Sequence, residues 1–237
     1  MNNSGLRWGF GVCVVASLIL VAVALHFWGA AEIRADLTEV FFLTLAGAVW
    51  LVVAIKLFAW FGLSYRDDVA ERGNIAALAA LCGALLAVVV IYIGGSAGEG
   101  PSYLNNAFSA GLGTVGLFAL WILLELSGRL SQSIAEERDP ASGLRLGGFL
   151  LATGLVLGRA AAGNWHSMSS ATRDFMHDGW PGILLCALAF LVELAARPSR
   201  QRPFPSWPVC GLLPAVVYLA MAGAWLWHLG AWEGMPK

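Results

Sequence analysis

Seven apolar stretches fill most of this 237-residue chain, over residues 8–28, 40–63, 75–94, 107–126, 143–162, 179–194 and 209–230. A helix needs about 20 mostly apolar residues to cover a hydrocarbon core of roughly 30 Å, and six of the seven stretches reach that length. With Arg145 assigned to the cationic loop before the fifth stretch, the acidic, Lys and Arg residues inside them are Lys56, Glu125, Arg159 and Glu193. The expected fold class is therefore all-α, a polytopic membrane helical bundle of seven transmembrane helices. Charged residues make up only 12% of the chain, against about 25% in a soluble domain. The polar segments 127–142 and 195–208 are too short to bury a core of their own.

The net charge of −1 argues against nucleic acid as a partner, because phosphate binding draws on clustered Lys and Arg. Cys13, Cys82, Cys186 and Cys210 lie in apolar surroundings without metal or disulfide spacing, and read as small buried hydrophobes. The first stretch is longer than the 7–15 residues of a signal core, so it is expected to remain as a helix.

Cationic residues sort between alternate loops. Arg7, Arg66, Arg72, Arg129, Arg138, Arg145, Arg197, Arg200 and Arg202 fall on one side, and only Arg34, Arg173 and Lys237 on the other. Excess Lys and Arg marks the cytoplasmic face, which predicts a cytoplasmic N-terminus and an external C-terminus. Trp28, Trp165, Trp180, Trp227 and Trp232 sit near outer span ends, as an interfacial aromatic belt would.

Residues 69–95 align with 134–160 at an offset of 65. Glu71 falls on Glu136, Asn74 on Asp139, Ala76 on Ala141, Gly83 on Gly148, and Leu85-Leu86-Ala87 on Leu150-Leu151-Ala152. Asn74 and Asp139 are expected N-caps, with Pro140 at the first helical position. A second echo places Leu124-Glu125-Leu126 and Arg129 on Val192-Glu193-Leu194 and Arg197. The expected organisation is a single integral membrane domain: a leading helix (1–39) and three parallel hairpins, over 40–106, 107–178 and a diverged 179–237.

The segment from Glu71-Arg72-Gly73-Asn74-Ile75-Ala76-Ala77 through Cys82-Gly83-Ala84, echoed at Asp139-Pro140-Ala141-Ser142-Gly143 and Gly147-Gly148, resembles the YjfL-like bacterial inner-membrane proteins. That family is defined by a domain of unknown function, and the resemblance covers about residues 40–162. It implies an inner-membrane location and an association with envelope-stress or polyamine-linked systems, but no activity. Asp139-Pro140 departs from the family's Asn and small residue at that place.

Several residues are candidates for function. Lys56, Glu125 and Glu193 lie at similar depth, and three charges there are costly enough to suggest an intramembrane ionic cluster or an ion path. Alternatively, Glu125 and Glu193 pair with Arg129 and Arg197 four residues on. Arg159, Asn164 and His166 mark an outer polar pocket for an anionic ligand, with His177 and Asp178 nearby, or else Arg159 snorkels to the interface. Gly143, Gly147, Gly154 and Gly158 give the fifth stretch a close-packing face, for a neighbouring helix, a second copy or a membrane partner. His26, His166, His177 and His228 lack the spacing of a haem pair. Gly111-Leu112-Gly113-Thr114-Val115-Gly116 has no preceding strand to make it a dinucleotide loop. No cofactor, metal or catalytic set is expected. The leading expectation is a non-enzymatic membrane component, acting in small-ion permeation or as a membrane anchor. The alternatives are an intramembrane enzyme or ligand-binding protein at Arg159, and a structural partner subunit.

Overall fold

A computed structural model describes residues 3–98, 102–165, 167–196 and 206–230. All secondary structure among them is helical. The long helices are α1 (Asn3–Trp28), α3 (Leu37–Phe58), α4 (Ile75–Ala97), α5 (Tyr103–Gly128), α7 (Pro140–Ala161), α9 (Pro181–Ala196) and α10 (Leu213–Leu229). Short helices α2 (Ala31–Ala35), α6 (Leu130–Ala135) and α8 (Met168–Gly179) connect them, with π-helical turns at Tyr65–Glu71 and Pro208–Leu212. Six helices are long and apolar enough to cross a membrane. Helices α8 and α9 together, bent by 41°, make a seventh if the pair is one span. The chain is a multi-pass membrane protein.

The long helices pack in two rows. The inner row runs α1–α4–α7–α10, and α3, α5 and α9 lie along its flank. Helices α4 and α7 form the most extensive pair and run parallel, both starting at the end of the bundle where Asn74 and Asp139 lie, here termed the cap end. Helix α7 has the lowest mean hydropathy of the six spans, 1.4, yet 78% of it is buried within the protein; only 22% of the α10 span is buried. The two facts have one cause. A helix surrounded by other helices can use Gly, Ser and Arg, whereas a lipid-facing helix has to be apolar along its exposed flank. The exposed flanks carry Val12, Val15 and Ile19 on α1, Phe41, Val49 and Val52 on α3, and Val216, Val217 and Met221 on α10.

The α4–α7 seam is made by small residues. Gly143 lies on the Ala76 backbone, Gly147 on Ala79 and Ala80, Gly154 on Ala87 and Gly158 on Val90. A side chain at Gly83 would overlap the Gly147 backbone, and one at Gly94 the Gly158 carbonyl. The glycine face of the fifth span is therefore filled by α4 of the same chain, which leaves no room there for a second copy or a membrane partner. Gly148 points the other way and meets Ala215 of α10.

The two cap-end connections have matching backbones. Gly62 (φ 81°) and Gly73 (φ 65°) flank the first, and Arg129 (φ 51°) and Arg138 (φ 56°) flank the second. The Asn74 amide donates to the Asp68 carbonyl at 2.9 Å, and the Asp139 amide to the Ser133 carbonyl at 3.0 Å. Asn74 Oδ1 accepts from the Ala76 and Ala77 amides, and the Asp139 carboxylate from the Ala141 and Ser142 amides. Four of the hydrogen bonds between elements link residues 64–66 positions apart. Trp50 Nε1 donates to Thr114 across 64 positions, Tyr103 to Glu39 across 64, Cys186 to the Leu120 carbonyl across 66, and Arg145 to the Cys210 carbonyl across 65.

Candidate functional site

A buried polar network at the cap end joins α7, α9 and α10. Arg145 lies on the second turn of α7, about 8 Å along the axis from Pro140 at 1.5 Å per residue. Its side chain is 3% exposed, and that of Glu193 is 2% exposed. Arg145 Nε and Nη2 both donate to Glu193 Oε2, at 3.0 and 2.8 Å. Nη2 also donates to Ser142 Oγ at 2.9 Å, and Nη1 to the Cys210 carbonyl at 2.6 Å. Ser142 Oγ in turn donates to Asp139 Oδ2 at 2.7 Å, so the guanidinium is tied to the helix cap.

The Cys210 carbonyl is available for a local reason. In an α-helix it would accept from the amide of residue 214, but that residue is Pro214, which has no N–H. The chain here forms the π-helical turn Pro208–Leu212, and the Cys210 carbonyl accepts from Arg145. Charge-assisted bonds of this kind are the strong members of their class.

This network revises the expected ionic cluster. Glu193 faces Arg145, and Arg197, its expected partner, lies outside the described residues. Glu125 does not pair with Arg129. Helix α5 ends at Gly128, and Arg129 turns into the left-handed region. The Glu125 carboxylate instead accepts from the Ser131 amide at 3.0 Å and the Ser131 hydroxyl at 2.5 Å. Lys56 is exposed and belongs to none of the ion pairs found among the described residues. Lys56, Glu125 and Glu193 are thus not joined by any ion pair. The residue that sequence reasoning missed is Arg145, counted as a loop cation although it lies within the fifth apolar stretch. Its signal was present: an Arg one turn inside a span bounded by small residues has to find an anion nearby.

A second polar group lies at the opposite, far end. Arg159 is 13% exposed in its side chain; Nη1 lies 4.0 Å from Asp178 Oδ2, and Nε is 3.4 Å from the Gly230 carbonyl. Asp178 Oδ1 also faces His177 Nδ1 at 2.9 Å, and its carbonyl accepts from Trp225 Nε1 at 3.0 Å. Asn164 is exposed, and His166 lies outside the described residues, as do Trp232, Arg200, Arg202 and Lys237. Of the expected outer pocket, the described residues place Arg159 beside Asp178.

The segment read as a polar loop before the sixth span forms helix α8, capped by Ser167 and packed through Ala171 and Phe175. It draws Trp165 inward, where the ring is buried and Nε1 donates to Asp174 at 3.1 Å; Trp28, Trp180 and Trp227 stay exposed, but Trp165 does not belong to the belt. The four cysteines are free thiols. Among the described residues, no three His, Cys, Asp or Glu side chains converge as a metal site.

Two apolar grooves open on the spans. One, of about 380 Å³, lies between α9 and α10 at the far end; the other, of about 390 Å³, lies between α3 and α5 beside Trp50 and Phe118.

No family model matches the chain, nor does any curated protein or solved structure. The likeness to the YjfL-like proteins rests on the motif residues alone. What the fold itself establishes is a multi-pass, all-helical membrane protein held together by a glycine seam and a buried Arg–Glu network.

Proposed function

We propose that this chain is a non-catalytic, non-conducting component of a bacterial inner membrane, serving as an anchor or scaffold. The observation that carries this reading is the α4–α7 seam. The two central helices meet backbone to backbone, at Gly83 on Gly147 and Gly94 on Gly158, which leaves no lumen between them. The buried charges nearest the seam neutralise one another or cap helices, so they do not line a path: Arg145 with Glu193, and Asp139 with the start of α7. Its motif resemblance and the loop cations support an inner-membrane location with the cap end cytoplasmic.

The same reading includes descent of the hairpins from one duplicated unit. It draws support from the paired left-handed residues, the paired caps and the bonds spaced 64–66 positions apart.

The test is ion flux into liposomes carrying the purified protein. Flux no greater than in protein-free vesicles is expected for wild type and for Lys56→Gln. Flux in the wild type that Lys56→Gln abolishes overturns the scaffold reading in favour of permeation. Reactivity of single cysteines introduced at exposed Arg66 and exposed Met176 toward an impermeant thiol reagent in whole cells checks the orientation. Labelling is expected at residue 176 and not at residue 66.

A further inference from the structure

The apolar groove between α9 and α10 ends beside a cation. It is lined by Val156, Pro181, Leu184, Leu185, Met221 and Ala224, with Trp180, Trp225 and His228 at its mouth. Met221 to His228 spans about 10 Å of helix. Leu184, Met221 and Trp180 are each more than two-fifths exposed, so the groove opens sideways toward the bilayer and not into the protein. Val156 lies three residues before Arg159 on α7, which puts the groove wall and the guanidinium on one face. Trp225 is tied to the Asp178 carbonyl, so the groove and the charged pair share one framework.

Among the described residues the guanidinium is incompletely engaged. Its contacts, 4.0 Å to Asp178 and 3.4 Å to Gly230, are longer than the usual 2.7–3.2 Å for N–H···O bonds. Arg carries five donors in a planar fork that suits a phosphate. Trp180 and Trp225 stack edge to face with centroids 5.7 Å apart, forming an amphipathic rim at headgroup depth. A purely apolar cleft below one poorly satisfied cation matches an amphiphile with an anionic head.

We propose that this site holds one phospholipid with an anionic headgroup, its acyl chain in the α9–α10 groove and its phosphate on Arg159. The proposal rests on the chain spanning a membrane and is independent of the scaffold reading. A protein that conducts ions could still hold this lipid, and a scaffold could lack it. Asp178 competes with the phosphate for the guanidinium. It is displaced toward His177, which already lies 2.9 Å from it on the exposed side.

The test uses the full-length protein in detergent with bromine-labelled phosphatidylglycerol, whose chain quenches tryptophan fluorescence on contact. The site signal is the part lost in Trp180→Phe. Saturable quenching is expected in the wild type, about tenfold weaker with the phosphatidylcholine analogue and about tenfold weaker in Arg159→Gln. Asp178→Asn should bind several-fold more tightly, because it removes the competitor. Ala224→Phe fills the groove from its exposed side and should abolish saturable quenching with helicity unchanged by circular dichroism. If Arg159→Gln fails to fold, the Asp178→Asn and Ala224→Phe pair still decides. Quenching that never saturates, or that is equal for both lipids and unaffected in these variants, overturns the proposal. So does stabilisation by inorganic phosphate through Arg159 without saturable lipid binding.

Discussion

Replacing Arg145 by Met should cost about 3–5 kcal/mol of stability, the range for removing one partner of a buried ion pair. The structure shows why the loss falls in that range. Arg145 makes four bonds within a site where it and Glu193 are at most 3% exposed. Removing it takes from the Glu193 carboxylate a cation bonded at 2.8 Å and from the Cys210 carbonyl its Arg145 donor, which Pro214 cannot replace. An unsatisfied buried acceptor costs about 1–3 kcal/mol by itself. The two penalties do not simply add, because both fall on contacting groups of one site. The double variant Arg145→Met, Glu193→Leu should therefore recover most of the loss, retaining a deficit of about 1–2 kcal/mol from the Cys210 carbonyl. Equilibrium unfolding in mixed micelles of mild detergent and dodecyl sulfate, followed by circular dichroism, measures all four corners of the cycle. An Arg145→Met variant within 1 kcal/mol of wild type, or a double variant no better than the single, would refute the reasoning.

Four further outcomes follow from local geometry. Asn74→Ala removes both the cap of α4 and the Nδ2 bond to the Ile134 carbonyl at 2.6 Å, and should destabilise by about 2 kcal/mol in the same unfolding assay. Arg138 is exposed and held at φ 56°, so Arg138→Gly should raise stability by about 1 kcal/mol, as Gly adopts that backbone without the Cβ penalty. Gly147→Leu should prevent folding into a monodisperse species on size exclusion, whereas Gly223→Ala, with open space around its Cβ position, should stabilise α10 by about 0.5–1 kcal/mol.

The spans and helix starts were legible because both are local properties. Apolar length marks a crossing, and Asn74 and Asp139 announce caps by residue type and position. Which charge meets which was not legible, because that depends on helix adjacency. Arg145 and Glu193 are 48 positions apart, and the i,i+4 rule that nominated Arg129 for Glu125 assumed that α5 continues past Gly128. Helix α8 was hidden because it is short and polar, buried only through Ala171, Phe175 and Gly179. The glycines of α7 were readable as a packing face, but not that α4 would occupy it.

The carbonyl that Pro214 exposes gives the chain an order of construction. Arg145 and Glu193 both precede α10 in the chain, so their pair can be in place when the ribosome delivers the last helix. The π-helical turn that leads into α10 carries the Cys210 carbonyl, which lipid cannot bond and the waiting guanidinium can. The final helix is thus fitted to a socket built before it exists. A chain shortened ahead of α9 would leave Arg145 without the Glu193 carboxylate.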